Sequence, residues 1–485
     1  MRPTPTGPRP IGERPLGRVA RSALRMGGAA MASVAIAGCL GDGGAGPSGC
    51  GPVTIEASVR ANPNNVLSAV VGVRAPGTDS VEVRIRGVSD ATFGARTPAF
   101  ALTGDSLDIP VLGLAPDAEF VLQPLATSRC GTTAGPMLTF HSGVLPADLP
   151  SYSAGGTDPS PGFVVFAAAG YGLAIDQTGT VRWYHRFPGG PGLNFQAQPN
   201  GRYVANPPAS APSAGAWVEI DPLGRTTRTF GCLNGLKPRF HDLAVEADGS
   251  YWIMCDQVRT MDLSGHGGVA NAQVVGTAVQ RVSAAGALLF EWTPFDHFEV
   301  TDLEPEARRG ATVNWTHGNA IDREGDDLLV SFRNLNQVVR IDAKTGAVVW
   351  RMGGRRNEFS FDPAPGAGFA WQHGVRVAGS ARLVLLDNLG DPATSRVEEY
   401  RYDGPSRRVW LERRLDPAVP TVAATGGTVQ PLPRGRRLAS YGSGGRVEEY
   451  DANGAVVWAM RGNPGYVFRA QRIVSLYAPG AGDPR

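Results

Sequence analysis

Charged residues are scarce in this chain of 485 residues: they make up 19% of the sequence, and the formal net charge is only +2. The sequence has no basic stripe of the kind that binds a phosphate backbone, so we predict no nucleic-acid partner. It also lacks any segment in which apolar residues keep a sustained helical period. Glycine (64 residues) and proline (39 residues) are abundant instead, which is typical of many short strands joined by turns.

Long apolar runs are missing as well. The N-terminal run from Met26 to Ala37 follows six arginines, but it is too short to span a membrane as a helix. It leads into Ala-Gly-Cys39, which resembles the lipobox of bacterial lipoproteins. We therefore expect 1–38 to be a lipoprotein signal peptide, Cys39 to be lipidated, and 39–49 to be a flexible tether. The alternative is an ordinary cleaved signal followed by a chance cysteine.

Cysteine is rare too, with five residues in the whole chain. Apart from Cys39 they form an even set, and an even set in an exported protein favours disulfide bonds. The most economical of the three possible connectivities pairs Cys50 with Cys130 and Cys232 with Cys255. Such a protein would lie outside the cytoplasm, anchored in the periplasm or cell envelope, and the sequence leaves open which membrane holds it.

The first folded region is predicted at 50–143. It contains alternating segments such as Ser80 to Ile85, separated by turn residues. This pattern predicts a small β-sandwich of the fibronectin type III or immunoglobulin-like kind. We find no cluster of residues in it that points to chemistry.

The second region, 150–480, contains an internal repeat. Each copy has an acidic or polar residue, a glycine, and then a strand that ends in an aromatic residue, as expected for a hairpin turn followed by a packed strand. The six copies are Asp176/Gly179/Trp183, Asp221/Gly224/Phe230, Ser283/Gly286/Phe290, Asp342/Gly346/Trp350, Asp403/Gly404/Trp410 and Asp451/Gly454/Trp458. Their number and spacing predict an all-β protein whose second domain is a six-bladed β-propeller.

Three of the seven histidines occupy matching positions of successive repeats: His241, His317 and His373. Equivalent positions of propeller blades are related by rotation about the axis, so residues of the innermost strands converge on the central channel. We therefore expect the three imidazoles to meet at one end of this channel. A single copy would be interpreted as an ordinary core histidine.

Other residues near the histidines are candidates for the same site. Asn319 follows His317 by two positions, so strand periodicity would place both on one side, although a hydrogen bond to a neighbouring blade would also explain an amide there. Arg333 ends an apolar strand and points either into the channel or into solvent. Three aromatic residues precede the histidines and form either an apolar wall for an aromatic ligand or ordinary blade packing: Phe240, Trp315 and Trp371.

These residue types indicate the chemistry of a small anion. Paired carboxylates are missing, which makes a glycosidase-type site a poor fit. Three imidazoles, an amide and a guanidinium would cradle a tetrahedral oxyanion, because group transfer of this kind needs positioning and cationic donors around the equatorial oxygens. A neutral imidazole can act as the nucleophile near pH 7.

Over about 150–480 the sequence resembles the bacterial arylsulfate sulfotransferases. The similarity is strongest in segments that keep the family's order and spacing: Asn314–Asp322, Asp327–Arg333, Asp342–Gly354, Trp371–Gly374 and Tyr466–Tyr477. The resemblance implies a six-bladed propeller, commonly preceded by a β-sandwich, that moves a sulfuryl group from a phenolic sulfate ester to a phenol without a nucleotide donor. One departure is Asn314, where the family commonly has an aspartate.

The resemblance also implies roles for the candidate residues in a ping-pong reaction. His373 would be the nucleophile that becomes a transient sulfohistidine. His317, Asn319 and Arg333 would bind the sulfuryl group. His241 would be the remaining active-site histidine and would assist proton transfer at the phenol oxygen.

The family further uses a hydroxyl group from the last blade. Thr428 is our candidate, with Thr425 and Ser440 as competitors. The implied partners are small phenols and aryl sulfates, with no cofactor and no metal, and the oligomeric state stays open.

Three other interpretations compete with this one. Propellers often bind proteins or glycans without doing chemistry, so a non-catalytic extracytoplasmic binding protein is the main alternative. Three converging histidines also resemble a catalytic zinc triad. The segment from Asp342 to Trp350 is similar to a blade-docking motif of quinone-dependent dehydrogenases, although their adjacent cysteines are missing here.

Overall fold

The computed structural model describes residues 51–90, 92–208, 215–362 and 368–480. The predicted signal peptide, Cys39, the tether and Cys50 lie outside the described residues, so lipidation and the Cys50–Cys130 pair stay predictions. Within the described part the protein is all-β, with strands and short 3-10 helices as its regular elements. No described helix has the length and apolar character needed to cross a membrane.

Residues 56–141 form two sheets. Their strands are β1 Glu56–Ala61, β2 Ser68–Arg74, β3 Ser80–Gly87, β4 Gly94–Arg96, β5 Phe100–Ala101, β6 Ser106–Leu112, β7 Glu119–Ser128, β8 Gly131–Ala134 and β9 Leu138–His141. One sheet has the order β1-β2-β6, and the other six strands pair around β3 and β7. Alternate residues of β3, namely Val81, Val83 and Ile85, are buried. Side chains of both sheets share one apolar core.

Six further sheets are found among the described residues from Ala154 to Ile473. Their strands are antiparallel except for the parallel pairs β20–β22 and β27–β31. The first contains β11 Phe163–Ala168, β12 Tyr171–Ile175, β13 Val181–Arg186 and β36 Ala470–Ile473, and the second β14 Phe195–Gln198, β15 Arg202–Ala205, β16 Trp217–Ile220 and β17 Thr226–Phe230. The third contains β18 Lys237–Val245, β19 Tyr251–Met261, β20 Ala272–Val282, β21 Leu288–Trp292 and β22 Thr312–Asn314, and the fourth β23 Gly318–Glu324, β24 Asp327–Phe332, β25 Gln337–Asp342 and β26 Val348–Met352. The fifth contains β27 Ser360–Asp362, β28 His373–Gly379, β29 Arg382–Asp387, β30 Arg396–Asp403 and β31 Arg408–Leu415, and the sixth β10 Ala154–Gly155, β32 Thr428–Pro431, β33 Arg437–Ser440, β34 Val447–Tyr450 and β35 Val456–Met460.

The two ends of this region exchange strands. The last strand, β36, pairs with β11 of the first sheet, and the early strand β10 pairs with β35 of the sixth sheet. The first and the sixth sheets therefore each contain strands from both ends of this region. The described 3-10 helices lie between strands, at Ser264–His266, Pro294–Asp296, Val300–Asp302, Pro305–Arg308, Arg333–Leu335 and Pro433–Gly435.

The sequence repeat corresponds to the outer hairpin of these sheets. In the first copy the carboxylate of Asp176 accepts hydrogen bonds from the backbone N–H groups of Thr178 and Thr180, and Gly179 takes a positive φ of 92° that a side chain would disfavour. The aromatic residue of this copy, Trp183, lies within the following strand, β13, and is buried. The fifth copy differs from the prediction, because Arg407 rather than Gly404 supplies the positive φ of its turn.

The predicted bond between Cys232 and Cys255 is confirmed, with an S–S distance of 1.97 Å. It joins the connection before β18 to the buried strand β19. This bond therefore lies next to the strand that carries His241.

Candidate active site

The structure brings the three predicted histidines together. His241 lies in β18, His317 directly precedes β23, and His373 begins β28, so each lies in or next to an edge strand of one of three successive sheets. The ring centroids of His241 and His317 are 4.8 Å apart, and those of His317 and His373 are 6.4 Å apart. One ring nitrogen of each lies within 4.8 Å of the others. The roles that the resemblance implies for them stay predictions.

The hydrogen bonds of His373 define its tautomer. Nδ1 lies 3.0 Å from the carbonyl oxygen of Trp371 and 2.9 Å from Oδ1 of Asn388, and both of these atoms only accept hydrogen bonds. Nδ1 therefore carries the proton, which leaves the lone pair of the neutral ring on Nε2. The backbone N–H of Gly426 points at Nε2 from 3.4 Å.

The amide of Asn388 is itself held in one orientation. Its Nδ2 donates to the carbonyl oxygens of Ala423 (2.6 Å) and Gly426 (2.9 Å), so Oδ1 must face His373. Asn388 follows directly after β29 and is fully buried. Sequence reasoning missed this residue, although it lies on the strand that returns beside His373.

The hydrogen bond at Nδ1 of His241 has the opposite direction to that at Nδ1 of His373. Its Nδ1 accepts a hydrogen bond of 3.0 Å from Nε of Arg239, whose guanidinium also bonds to Asp256. A guanidinium has only donors, so Nδ1 of His241 carries the lone pair and Nε2 carries the proton. Arg239 is buried beside the imidazole, and the sequence analysis did not single it out.

His317 combines a strained backbone with a similar hydrogen bond. Its φ is 48°, in the left-handed region that is rare for residues with a side chain. Its Nδ1 lies 2.7 Å from Nδ2 of Asn314, a donor, so Nε2 carries the proton in this arrangement. Asn314, which replaces the aspartate common in the family, therefore makes His317 a hydrogen-bond donor at the site.

Burial keeps all three rings neutral. Desolvation is the main cause that lowers the pKa of His373, to about 4, and the positive charge of Arg333 adds to it. Desolvation, Arg239 and Arg333 lower the pKa of His317 to about 2. Desolvation followed by Arg239 also lowers the pKa of His241 well below its ordinary value.

Arg333 is the cation of the site. Its guanidinium lies 3.8 Å from the ring centroid of Trp371 and donates to Asn334 Oδ1 and the carbonyl oxygen of Ala424. It forms no ion pair with a carboxylate of the described residues, and its buried Nε has no hydrogen-bond partner among them. Desolvation lowers its pKa only to about 10, so it stays charged.

The structure changes the interpretation of Asn319. Its Nδ2 donates to the carbonyl oxygen of Gln372 at 2.7 Å, and its Oδ1, which can only accept, has no partner among the described residues. The strand periodicity fails here because the register shifts between Gly318 and Ala320 and because His317 lies outside the strand. As placed, Asn319 is hydrogen-bonded to the residue before His373, as the interblade alternative anticipated. Its role in binding the sulfuryl group stays a prediction.

The structure shows the surroundings of the candidate hydroxyl groups near the last sheet. Thr428 begins β32, its hydroxyl lies 3.3 Å from that of its cross-strand partner Ser440, and its Cα and side chain pack on Gly374. The competing candidate Thr425 is exposed and its side chain interacts with the Tyr466 hydroxyl, which in turn packs on Gly426 beside His373. Thr428 thus lies against the residue that follows His373, and Thr425 lies before the residue whose N–H points at Nε2 of His373. Which hydroxyl serves the site stays a prediction.

The predicted aromatic wall is only partly formed by the predicted residues. Trp371 is 42% exposed and lies at the site, and Phe240 stacks on His241 with ring centroids 3.9 Å apart. Trp315 is instead a core residue that packs on Phe295. Phe468, which sequence reasoning missed, contacts the rings of both His241 and His373.

The arrangement suits an anion better than a metal ion. Although the three histidines are close enough to share a ligand, Arg239 occupies Nδ1 of His241, and its Nε2 is protonated and offers no lone pair. Two guanidinium groups next to the imidazoles would also repel a cation. The N–H groups of these imidazoles and guanidinium groups are hydrogen-bond donors for oxyanions, and the guanidinium groups add positive charge.

These observations define an all-β protein in which three neutral imidazoles and a guanidinium come together. The arylsulfotransferase (ASST) family model matches residues 238–463, a segment that includes the three histidines, Arg333 and Asn388. The chain thus carries an arylsulfotransferase domain, and the family recognised from the sequence is confirmed.

The solved structures that the chain matches are distant in sequence. A streptogramin B lyase is 14% identical, with 64% of this chain and 83% of that chain covered and a TM-score of 0.37. Hydrazine synthase of Kuenenia stuttgartiensis is 12% identical, with 64% and 79% covered and a TM-score of 0.35. A calcium-binding regucalcin of Agrobacterium tumefaciens is 14% identical, with 66% and 95% covered and a TM-score of 0.33. No curated protein sequence matches the chain.

Proposed function

We propose that the protein is an aryl-sulfate sulfotransferase that works by a ping-pong mechanism through a sulfohistidine at His373. The observation that carries the proposal is the pair of acceptors on Nδ1 of His373, which leaves a lone pair on Nε2 of a buried, neutral ring. This is the state that an imidazole needs in order to act as a nucleophile.

In the first half-reaction, Nε2 of His373 attacks the sulfur of an aryl sulfate. The N–S bond forms while the bond between sulfur and the phenol oxygen breaks, and the electron pair of that bond leaves with the phenol. Arg333 and the N–H group of His317 are proposed to stabilise the charge on the sulfuryl oxygens. In the second half-reaction a new phenol oxygen attacks the sulfur, and the N–S electron pair returns to Nε2.

We assign proton transfer at the phenol oxygen to His241 and a supporting hydroxyl to Thr425. The anionic substrate would offset the positive charges that lower the pKa of His241, so the ring exchanges a proton more readily in the complex than in the free protein. Trp371 and Tyr466, both partly exposed beside Arg333, would contact the aromatic ring of the substrate. The proposed cycle needs no nucleotide and no cofactor.

For the fold, we propose that the six sheets of 150–480 are the blades of a β-propeller and that 50–143 is a β-sandwich. The exchange of strands between the first and sixth sheets supports a closed ring, and the shared core of the two N-terminal sheets supports a sandwich.

For the location, we propose an extracytoplasmic lipoprotein anchored through Cys39. The arginine-rich leader, the short apolar run and the small residues before Cys39 support it. Cys39→Ala should move the protein from the membrane fraction to the soluble extracytoplasmic fraction, and unchanged membrane association would contradict the anchor.

The function is tested by mixing the purified protein with a chromogenic aryl sulfate in the absence of acceptor. We expect mass spectrometry to find one added SO3 group on the peptide that contains His373, and we expect the adduct to disappear when phenol is added. His373→Asn should form no adduct and show no turnover. A wild-type protein that binds the ester but never carries the adduct would instead support the non-catalytic binding protein.

A further inference from the structure

Asn388 is the side chain that contacts the far nitrogen of the proposed nucleophile. Its Oδ1 accepts the Nδ1 proton of His373 at 2.9 Å, next to the carbonyl oxygen of Trp371 at 3.0 Å. An imidazole that attacks through Nε2 must keep its proton on Nδ1, and two acceptors at Nδ1 exclude the other neutral tautomer.

The surroundings of Asn388 hold this amide rigidly. Both protons of Nδ2 are taken by the carbonyl oxygens of Ala423 and Gly426, so a rotation of the amide by 180° would place oxygen against oxygen. The carbonyl oxygen of Asn388 accepts from the hydroxyl of Ser395, which in turn accepts from the N–H of Ala423. The amide therefore connects His373 to the loop that contains Gly426, whose N–H points at Nε2.

The neutrality of the amide has a chemical consequence after sulfuryl transfer. When Nε2 has bonded to sulfur and Nδ1 keeps its proton, the ring carries a positive charge and its Nδ1 proton becomes more acidic. A carboxylate at this position would remove that proton, and the leaving group of the second half-reaction would then be an imidazolide anion. An amide oxygen and a backbone carbonyl oxygen stabilise the charged N–H without accepting its proton, so the leaving group stays a neutral imidazole.

We propose that Asn388 is a positioning residue that fixes the Nδ1–H tautomer of His373 and, because it is an uncharged acceptor, keeps the sulfated ring a reactive sulfuryl donor. The inference rests on the proposed function, since it concerns the reactivity of the same histidine. It goes beyond that function by assigning the control of both half-reactions to a residue that does not touch the substrate.

The charged and titratable groups around this pair are few among the described residues. Arg333 and His317 face His373 from the neighbouring sheet. Asp387 precedes Asn388 and is paired with Arg396 at 2.9 Å, away from the imidazole, with Glu398 as a further neighbour. No described carboxylate contacts Nδ1 of His373, so a carboxyl group introduced at position 388 would be the acidic neighbour that the ring now lacks.

The decisive variant is Asn388→Asp. The oxygen that replaces Nδ2 would face the carbonyl oxygens of Ala423 and Gly426, so the carboxyl group should stay protonated at low pH, imitate the amide and support turnover. When it ionises at higher pH it should take the Nδ1 proton of the sulfated ring. We then expect release of the first phenol to persist while the second half-reaction slows by about 10- to 100-fold, so that the adduct on His373 lives longer and kcat gains an alkaline decline.

A matched control is Asn206→Asp. Asn206 is also buried and donates from Nδ2 to a backbone carbonyl oxygen, that of Gly215 at 2.7 Å, but it contacts no imidazole. Its variant should keep the wild-type pH profile and adduct lifetime. If Asn388→Asp shows the wild-type profile and lifetime as well, the proposal for Asn388 is wrong.

A second measurement needs no variant. The 15N shifts of the histidine side chains in the wild-type protein should show His373 protonated on Nδ1 at neutral pH, and a ring protonated on Nε2 would overturn the proposal. If the wild-type protein forms no adduct at all, the proposed function fails, and this outcome differs from an active enzyme that is indifferent to residue 388.

Discussion

His373 and His241 lie on equivalent opening strands of two sheets, but their hydrogen bonds have opposite polarity. A residue next to each histidine makes the difference: Asn388 lies directly after β29, and Asp256 lies within β19. Asn388 places an acceptor directly on Nδ1 of His373, whereas Asp256 holds Arg239, which places a donor on Nδ1 of His241. The same backbone position thus yields a lone pair at Nε2 in one ring and a proton at Nε2 in the other. The repeat thus positions each histidine, and the hydrogen-bond partner of its Nδ1 determines which tautomer the ring adopts.

The largest expected loss of kcat distinguishes the role of His373 from that of His241. His373→Asn should lower kcat by more than about 1,000-fold, because it removes the atom that bonds to sulfur. His241→Asn should lower kcat by about 100-fold, because it removes only the proposed proton transfer. Steady-state turnover of an aryl sulfate with a phenol acceptor measures both. Equal losses in the two variants, with the wild-type fold retained, would contradict the division of roles.

The next effect concerns Arg239, the donor that fixes the tautomer of His241. Arg239→Gln should lower kcat/KM by about 10- to 100-fold, because Nδ1 of His241 loses its fixed partner. Removing this positive charge should also raise the pKa of both His241 and His317, since Arg239 lowers both. The titrations of these two rings, followed by 15N NMR, should therefore move to higher pH.

Arg437→Gln provides the control for this change. Arg437 is a buried arginine that pairs with Glu399 at 2.6 Å and has no described contact with an imidazole. Its variant should lose stability without moving the titrations of His241 and His317. If the titrations of His241 and His317 in Arg239→Gln coincide with those in the control, the electrostatic explanation is contradicted.

The pH dependence of the wild-type protein gives a smaller but direct effect. Burial lowers the pKa of His373 from 6.5 to about 4, so turnover should be insensitive to this group near neutrality and should fall as pH decreases through about 4. In the unfolded chain the same ring binds a proton near pH 6.5, so the unfolded state takes up more protons between these values. Stability should therefore decline as pH falls from about 6.5 to about 4, which thermal denaturation can follow. Turnover that already declines along an ordinary histidine titration would contradict the burial of His373.

The smallest expected effect concerns Trp371, the partly exposed aromatic residue beside Arg333. Trp371→Ala should raise KM for phenolic substrates several-fold with little change in kcat, because the ring that stacks on Arg333 contributes about 1 kcal/mol to such contacts. Trp410→Ala is the matched control, since Trp410 also stacks on an arginine, Arg401 at 3.9 Å, but on a different strand. An equal change in KM for both variants would show that Trp371 acts only on the fold.

Much of the fold and part of the site could be predicted from the sequence. The turn aspartates, glycines and aromatic residues recur with the sheets, and matching positions in the repeat place His241, His317 and His373 together. Strand periodicity did not predict the hydrogen bond of Asn319 to Gln372, because the register shifts at this position and that shift is set by tertiary pairing. Asn388 and Arg239 could not be recognised, because a buried amide or guanidinium gains its meaning only from the partner across the sheet.

The central claim is that Nε2 of His373 bonds to sulfur while Asn388 keeps the proton on Nδ1. A crystal structure of the protein trapped with an aryl sulfate in the absence of acceptor tests it most directly. The account predicts density for a sulfuryl group on Nε2 of His373, with Nδ1 still in contact with Oδ1 of Asn388 and the carbonyl oxygen of Trp371. A sulfuryl group on His241 or His317, or an intact ester with no bond to His373 under conditions of turnover, would contradict it.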